Sequence, residues 1–254
     1  MQIDRAPGDD IRDAEMTAAQ ALADVSWLHD VPRATLDDLA AEALLHRVPP
    51  GSLVFEQAET PVFAQFLLSG SVELLGVRGH LETLVELVRP VDLIIPAAVV
   101  GGQPYLMRAR IHEEAHLLLI RAETFRQMMA SDPALCRAVL GCLAAQFRRQ
   151  VRVAKNLKLR SAEERVGCYL VALLPRDDSA ADFKLPMEKR LIASQLGMTR
   201  ETFSRALAGM AKFGLRIIGD TVQVEDADTA RARFALDPFI DGGEPIIPLP
   251  AGKP

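Results

Sequence analysis

Residues 187–210 constrain the fold more than any other stretch of the chain, because they fit two short helices joined by a tight turn. Small Ala193 falls within the first helix, and Gly197, four residues later, permits the sharp turn. Thr199 is a suitable N-cap for the second helix. Apolar residues at helical spacing would hold the two helices together: Ile192, Leu196, Met198, Phe203 and Leu207. The stretch therefore predicts a helix-turn-helix.

The second of these helices carries residue types that suit the reading of DNA bases. Phe203, Leu207 and Met210 mark its buried face, which leaves the polar side near the N-terminus exposed. Arginine can bind guanine with two hydrogen bonds, and glutamate can accept one from the amino group of cytosine. The candidate contacts to double-stranded DNA are Thr199, Arg200, Glu201, Ser204 and Arg205. A solvated helix face laced with salt bridges is the ordinary alternative.

Residues 215–224 follow as two alternating strands with Gly219-Asp220 between them, which predicts a hairpin that forms the wing of a winged helix. The net charge of −5 over 254 residues argues against nucleic acid, but the charges are unevenly distributed. Residues 1–30 hold seven acids and two bases, whereas residues 184–216 hold seven bases and two acids. The distribution supports a DNA-binding unit near the C-terminus.

Short apolar runs of strand length fill residues 48–122, and glycines and prolines separate them. They predict a compact antiparallel barrel or roll with strands at 52–55, 63–68, 72–77, 84–88 and 117–120.

A long helix is predicted from Ser131-Asp132-Pro133 to about residue 157, with two apolar stripes. One stripe holds Leu135, Val139, Cys142 and Val153, and the other holds Leu140, Leu143, Phe147 and Val151. Either both pack within one monomer, or the second stripe packs on a second subunit. We favour the homodimer. Bases between Arg148 and Arg160 are expected near the hinge and DNA or on a solvated face.

This order of parts resembles the cyclic-AMP receptor protein/FNR (Crp/Fnr) family of transcription regulators over about residues 25–225. Residues 50–55, 66–72 and 117–120 look like the family's roll strands, and Arg200-Glu201-x-x-Ser204-Arg205 is similar to its base-reading set. The resemblance implies an α+β chain: an N-terminal double-stranded β-helix (a β-roll like the cyclic nucleotide-binding domain), a long dimerisation helix and a C-terminal winged helix-turn-helix. It also implies a homodimer on an inverted repeat, and RNA polymerase as a partner.

The domain boundaries expected from this order follow the composition. We expect a flexible extension at 1–20, the β-roll sensor at 21–130, the dimerisation helix at 131–158, the winged helix-turn-helix at 159–236 and a flexible Pro/Gly-rich tail at 237–254.

The effector is less constrained than the fold. Family members that bind cyclic AMP carry a Gly-Glu pair and then an Arg-Ser pair, but residues 93–98 and 105–106 supply neither, so cyclic AMP is not expected. No cysteine precedes Cys136, so no iron-sulfur cluster is expected either. The effector pocket candidates are Leu93, Ile95, Tyr105, Met107 and Arg108.

Haem that senses nitric oxide or carbon monoxide, and a small apolar metabolite, remain as signals. The candidate iron ligands are His80, His112 and His116, and an ordinary surface or capping role is the alternative for each. A regulator of this family that has no diffusible ligand, or that responds through Cys136 or Cys142, is a further alternative.

Residues 112–116 read His-Glu-Glu-Ala-His, which matches the zinc-peptidase pattern H-E-x-x-H. That pattern needs a helix, because residues four apart on a strand are about 13 Å apart. The local sequence predicts strand, turn, strand instead, so an enzyme is not expected. The longest uncharged apolar run, residues 93–102, is about half of the ~20 residues that cross a bilayer, and the N-terminus has no signal-peptide pattern. We expect a cytoplasmic protein without a membrane span.

Overall fold

The computed structural model describes residues 17–175 and 182–242. The helices are α1 (Ala18–Ala23), α2 (Arg33–Ala41), α3 (Pro96–Gly101), α4 (Ala122–Ser131), α5 (Pro133–Leu159), α6 (Ala162–Leu173), α7 (Lys189–Gln195), α8 (Arg200–Gly209) and α9 (Ala227–Arg233), with 3₁₀ turns at Ser26–Leu28 and Met210–Phe213. The strands are β1 (Ala43–Val48), β2 (Leu53–Phe55), β3 (Phe63–Arg78), β4 (Leu81–Val88), β5 (Asp92–Leu93), β6 (Arg108–Arg121), β7 (Phe183–Lys184), β8 (Leu215–Ile218) and β9 (Thr221–Val224).

The N-terminal half is built on an antiparallel sheet with the strand order β1-β6-β3-β4, to which β2 adds on β6 and β5 adds on β3. The strands predicted at 63–68 and 72–77 are one strand, β3, because the pairing with β6 shifts register around Ser69 and Ser71 instead of ending there. The strand predicted at 117–120 is the end of β6. A Ser-Gly pair signals a turn in sequence, but here it marks a bulge in a continuous ladder.

Two apolar clusters stabilise this half. The first fills the interior of the roll and includes Phe55, Val72 and Ile111. The second lies between the roll and the helices, where Phe66 of β3 contacts Phe125 of α4 edge to face at a centroid distance of 5.9 Å. Leu135 of α5 is fully buried in the second cluster. The long helix is thereby attached to the β-roll along one face.

The start of α5 was predicted correctly from its local sequence. Asp132 is its N-cap, and Oδ1 accepts hydrogen bonds from the amides of Ala134 (2.7 Å) and Leu135 (3.2 Å). Pro133 occupies the first helical turn, where no amide hydrogen is needed. The helix then runs for 27 residues to Leu159.

The C-terminal half packs α6, α7, α8 and α9 around a separate apolar cluster with a small three-stranded sheet in the order β7-β9-β8. The hairpin predicted at 215–224 is confirmed as β8 and β9. Among the described residues, no single helix is long and apolar enough to cross a membrane, and α4 with α5 passes that test only as a pair bent by 116°.

Both ends of the described chain are better packed than their composition predicts. Residues 17–20, assigned to a flexible extension, include a capping box between Thr17 and Gln20 that starts α1. The flexible tail expected from residue 237 is wrong for residues 237–242, where Ile240 is buried. The rest of both predicted tails lies outside the described residues.

Candidate nucleic-acid interface and sensor

The helix-turn-helix consists of α7 and α8, and its turn is built as the sequence predicts. Gly197 has φ +64°, a conformation that a side chain disfavours. Thr199 Oγ1 accepts a hydrogen bond from the amide of Thr202 at 3.2 Å and so caps α8. A Cβ at Gly197 would lie 2.3 Å from Leu157 Cδ2, so the turn also sits directly against the end of α5.

The five candidate DNA contacts share one exposed side of α8. Phe203, Leu207 and Met210 are buried on the opposite side. The exposed residues are Thr199, Arg200, Glu201, Ser204 and Arg205. Their side chains are therefore free to meet a partner at the N-terminal end of the helix.

Glu201 is held in its ionised form. Hydrogen bonds from its own amide and from Thr199 lower the pKa of its carboxyl group, and the charges of Arg200 and Arg205 act in the same direction. An ionised carboxylate accepts hydrogen bonds only. It therefore suits an amino-group donor such as that of cytosine.

Three of the seven bases of residues 184–216 are bound to acceptors within the chain. Lys212 pairs with Glu163 at 2.9 Å, and Arg216 pairs with Glu225 at 2.8 Å. Lys189 donates a 2.5 Å hydrogen bond to the carbonyl of Gly219, which ties α7 to the turn of the wing. Arg200 and Arg205 thus remain as the exposed arginines of α8 itself.

The first helix of the helix-turn-helix docks on the β-roll, a contact that the sequence did not predict. Leu191 of α7 is 1% exposed and packs with Leu75, Leu84 and Leu87 of the β3–β4 hairpin. Ser194 Oγ accepts a hydrogen bond from the amide of Leu84 at 3.2 Å and donates one to its carbonyl at 3.4 Å. This hydroxyl satisfies backbone groups of β4, the edge strand of the sheet.

A second link joins the β-roll to α5. Arg149 forms ion pairs of 2.9 Å with both Glu86 of β4 and Asp92 of β5. Gln146 donates 2.9 Å hydrogen bonds to Asp92 Oδ1 and to the carbonyl of Leu93. Burial raises the pKa of Glu86 against the opposing effect of Arg149. Movement of β4 would therefore disturb contacts with both α5 and α7, and movement of β5 would disturb contacts with α5.

The two stripes of α5 have different surroundings. Leu135, Val139 and Cys142 are buried against the sensor, as expected for one stripe. On the other stripe Leu140 is 64%, Phe147 70% and Val151 42% exposed, while Leu143 is partly buried. Packing of both stripes within one monomer is therefore wrong for the described residues, since the second stripe is open.

Comparison with known proteins agrees with this architecture. The family described as cyclic nucleotide-binding domain matches residues 45–132, and the family described as Crp-like helix-turn-helix domain matches residues 164–229. The chain belongs to the Crp/Fnr family of transcription regulators.

Individual members of the Crp/Fnr family are distant from this chain. It is 24% identical over 202 residues to the HTH-type transcriptional regulator Cmr of Mycobacterium tuberculosis, covering 78% of this chain and 80% of Cmr. It is 26% identical over 187 residues to the transcriptional activator protein FnrA of Stutzerimonas stutzeri, covering 71% and 75%. The c-di-GMP responsive regulator CLP of Xanthomonas campestris shares the fold, with a TM-score of 0.64, 18% identity and coverage of 77% and 100%. The relatives named here are regulators rather than enzymes.

The five effector candidates do not line one common site in this Crp/Fnr chain. Tyr105 stacks on Phe55 at a centroid distance of 3.6 Å in the roll interior, where Ile95 and Met107 also pack. Leu93 belongs instead to the cluster that faces the helices. Burial raises the pKa of Tyr105 to about 12, so its hydroxyl stays neutral. Successive residues of a strand face opposite sides of the sheet. Residues that are close in sequence, and that were predicted to share one pocket, are therefore divided between two apolar clusters.

Arg108, the remaining effector candidate, is already paired. It binds Glu56 with a 2.7 Å contact and also binds Glu82. Beside it, Arg110 binds the buried carboxylate of Glu73 at 2.8 Å. The hydrogen bond from Arg108 lowers the pKa of Glu56, so the pair is ionic. A cyclic phosphate would have to displace a carboxylate from Arg108.

The three candidate iron ligands are dispersed, and each described environment is polar or exposed. His80 is exposed at the β3–β4 turn. His112 Nδ1 lies 3.5 Å from Glu73 Oε1, and His116 Nδ1 lies 2.8 Å from Ser69 Oγ. Within residues 17–175 and 182–242, no three side chains of His, Cys, Asp or Glu come together as a metal site.

The His-Glu-Glu-Ala-His motif lies within β6. The predicted strand-turn-strand is one uninterrupted strand, but the conclusion is the same, because an extended backbone separates His112 from His116. The motif therefore lacks the helix that a zinc-peptidase site requires.

Cys136 and Cys142 differ in exposure. Cys136 is exposed, whereas Cys142 is buried with Sγ 3.6 Å from Asp92 Oδ1. Burial and the charge of Asp92 raise the pKa of the Cys142 thiol to about 12. Because the thiolate is the reactive form, Cys142 is poorly suited to thiol-redox sensing.

Proposed function

We propose that this Crp/Fnr regulator is a homodimer that binds an inverted-repeat operator through α8 of each subunit. One observation carries the proposal: the five candidate contacts share the exposed side of α8, opposite its buried apolar face. A helix presented in this way can enter the major groove with its N-terminal residues against the base edges.

The residues divide the recognition between them. Arg200 and Arg205 bind guanine O6 and N7, ionised Glu201 accepts from cytosine, and Ser204 contacts base or phosphate. Thr199 caps the helix and presents its hydroxyl to the sugar-phosphate backbone of the DNA. Two such helices read half-sites that lie one helical turn, about 34–36 Å, apart. RNA polymerase is the protein partner at the promoter.

The open stripe of α5 supports the dimer. Leu140, Phe147 and Val151 follow a spacing of seven and four residues along one face of the helix. Buried against the same stripe of a second copy, they form a parallel helix pair that places both α8 helices on one side.

The signal enters through the roll and reaches DNA by a population shift. A ligand that favours one arrangement of β4 and β5 biases α5 through Arg149 and α7 through Leu191. A small apolar metabolite in the roll interior is the first candidate. Haem that senses nitric oxide or carbon monoxide is the second, since His112 and His116 already have protein partners. Cyclic AMP is disfavoured because Arg108 is paired with two glutamates.

Selection of operators from random double-stranded DNA, followed by anisotropy titrations of the Arg205→Ala variant, tests the DNA-binding proposal. Loss of Arg205 should cost about 1–3 kcal/mol and relax one base position. Arg78→Ala, at the exposed end of β3, is the matched control and should bind as the wild type does. An equal loss on every sequence would make Arg205 a phosphate contact, and failure to enrich an inverted repeat would reject the proposal.

A haem titration tests the second effector. A saturable 1:1 absorption band that shifts with carbon monoxide and is lost in His112→Ala or His116→Ala supports haem. Spectra identical to those of free haem would reject haem as the effector and leave the small apolar metabolite as the candidate.

A further inference from the structure

The C-terminal segment, residues 237–242, returns from the DNA-binding unit to the long helix α5. It lies beyond residue 229, where the helix-turn-helix family match ends. Arg160 at the end of α5 donates hydrogen bonds of 2.7 and 2.6 Å to the two carboxylate oxygens of Asp241. Both side chains are mostly buried, at 10% and 15% exposure, so this is a shielded bidentate pair.

Further contacts hold the same segment to α5. Arg152 donates to the carbonyl of Gly242, and Lys155 donates to that of Phe239 at 3.3 Å. Ile240 is 3% exposed, so the segment also buries an apolar side chain. The segment is therefore fixed in place rather than trailing from the domain.

In contrast to Ile240, the neighbouring Phe239 points outward and is 77% exposed. Lys155 Nζ lies 5.6 Å from the ring centroid, but the rest of the ring is open. An aromatic ring held outward by a buried ion pair loses little conformational entropy when a partner covers it. Such rings are typical of binding hot spots.

Phe239 also faces a cavity of about 660 Å³ between the segment and α5. Phe147 and Val151 line this cavity from the helix, and Pro238 and Phe239 line it from the segment. Phe147 and Val151 are also members of the open stripe of α5. The segment therefore widens that stripe on one side and turns it into a groove.

We propose that a second copy of this chain occupies the groove, so that each subunit's C-terminal segment is part of the dimer interface. The inference rests on the proposed dimer and adds a contact outside the family's two matched regions. Stable interfaces bury about 1,200–2,000 Å² in total. A narrow stripe on one helix supplies little of this, and each buried phenylalanine contributes about 150–250 Å².

Sedimentation equilibrium of the full chain tests the inference with four variants. Phe239→Ser removes the ring, and Phe239→Leu retains an apolar side chain. Asp241→Asn keeps Phe239 but weakens its anchor to Arg160. The matched control is Leu106→Ser, because Leu106 is 83% exposed and belongs neither to α5 nor to the C-terminal segment.

We expect Phe239→Ser to raise the dimer dissociation constant at least tenfold and Asp241→Asn to raise it about threefold or more. The dissociation constants of Phe239→Leu and Leu106→Ser should stay within about threefold of the wild-type value. Circular dichroism checks that each variant is folded. Because Phe239 is exposed, its replacement should not disturb the fold. If Phe239→Ser dimerises with the same dissociation constant as the wild type, the inference is overturned.

Phe147→Asp separates this inference from the proposed function. If Phe147→Asp is monomeric while Phe239→Ser dimerises like the wild type, the α5 dimer stands and the role of the C-terminal segment is rejected. If Phe147→Asp still dimerises like the wild type, the α5 dimer itself is rejected and the groove with it.

Discussion

Replacement of Gly197 by alanine tests how the helix-turn-helix is joined to the long helix. Gly197 has φ +64°, and an L-residue pays about 1–2 kcal/mol for that left-handed conformation. Its added Cβ would also lie 2.3 Å from Leu157 Cδ2. The Leu157 side chain is 41% exposed and can rotate away, at a cost of about 0.5–1.5 kcal/mol if it leaves its preferred rotamer.

Gly219 provides a matched control. It has φ +57° in the turn of the wing, but nothing lies within 4 Å of a Cβ built there. Gly219→Ala should therefore lower the free energy of unfolding by the conformational cost alone, about 1–2 kcal/mol. Gly197→Ala should lower it by that cost and by the cost of displacing Leu157. For a domain of 60–100 residues, each kcal/mol lowers Tm by about 4–8 °C.

Thermal unfolding followed by two signals provides the assay. Circular dichroism reports the whole chain, whereas the fluorescence of the single tryptophan, Trp27, reports the sensor, where it stacks near Phe66. The Gly197→Ala variant should lower the transition of the DNA-binding unit and leave that of Trp27 nearly unchanged. In the Leu157→Ala/Gly197→Ala double variant, Gly197→Ala should cost only as much stability as Gly219→Ala does, because the clash with Leu157 is gone. If Gly197→Ala and Gly219→Ala lose equal stability, the contact between the turn and α5 does not exist in solution.

Three further predictions concern the sensor and its connections. Leu191→Ala should remove a buried contact worth about 2–5 kcal/mol and free α7 from β4, so the amide of Leu84 should exchange its hydrogen faster; unchanged protection would contradict the docking. Asp132→Asn should remove the contribution of Asp132 to acid-dependent stability: hydrogen bonding lowers the pKa of Asp132 below 3.8, so the wild type should lose this contribution as the pH falls through 3.8 and below, and the variant should lose less stability over the same range. Cys136 should react with a maleimide long before Cys142, whose pKa is raised to about 12, and Cys142→Ser should leave the response of operator binding to mild oxidants unchanged; rapid labelling of Cys142 in the folded protein would refute the burial.

The sequence predicted the local parts of the candidate site accurately. Thr199 caps α8 and Asp132 caps α5, because a cap depends on residues two or three positions away. The buried face of α8 also follows from its own periodicity, as Phe203 and Leu207 show. The assignment of base contacts to the opposite face remains a prediction.

The effector candidates could not be predicted in the same way. Leu93 and Tyr105 are close in sequence, but they pack in different apolar clusters, since a roll places neighbouring segments on opposite sides of a sheet. Arg108 is neutralised by Glu56 and Glu82, which precede it by 52 and 26 residues. No local pattern specifies which distant carboxylate an arginine will meet.

By itself, the sequence determined the order of the parts: an antiparallel roll, a capped long helix with two stripes, and a winged helix-turn-helix. Turns, caps and periodicity set these features through neighbours a few residues apart. Only the tertiary structure decided how the parts are joined. Ser194 meets Leu84 across 110 residues, and Arg160 meets Asp241 across 81. Periodicity shows which face of an element is apolar, but the partner of that face depends on the packing of the whole chain, which brings together residues that are far apart in sequence.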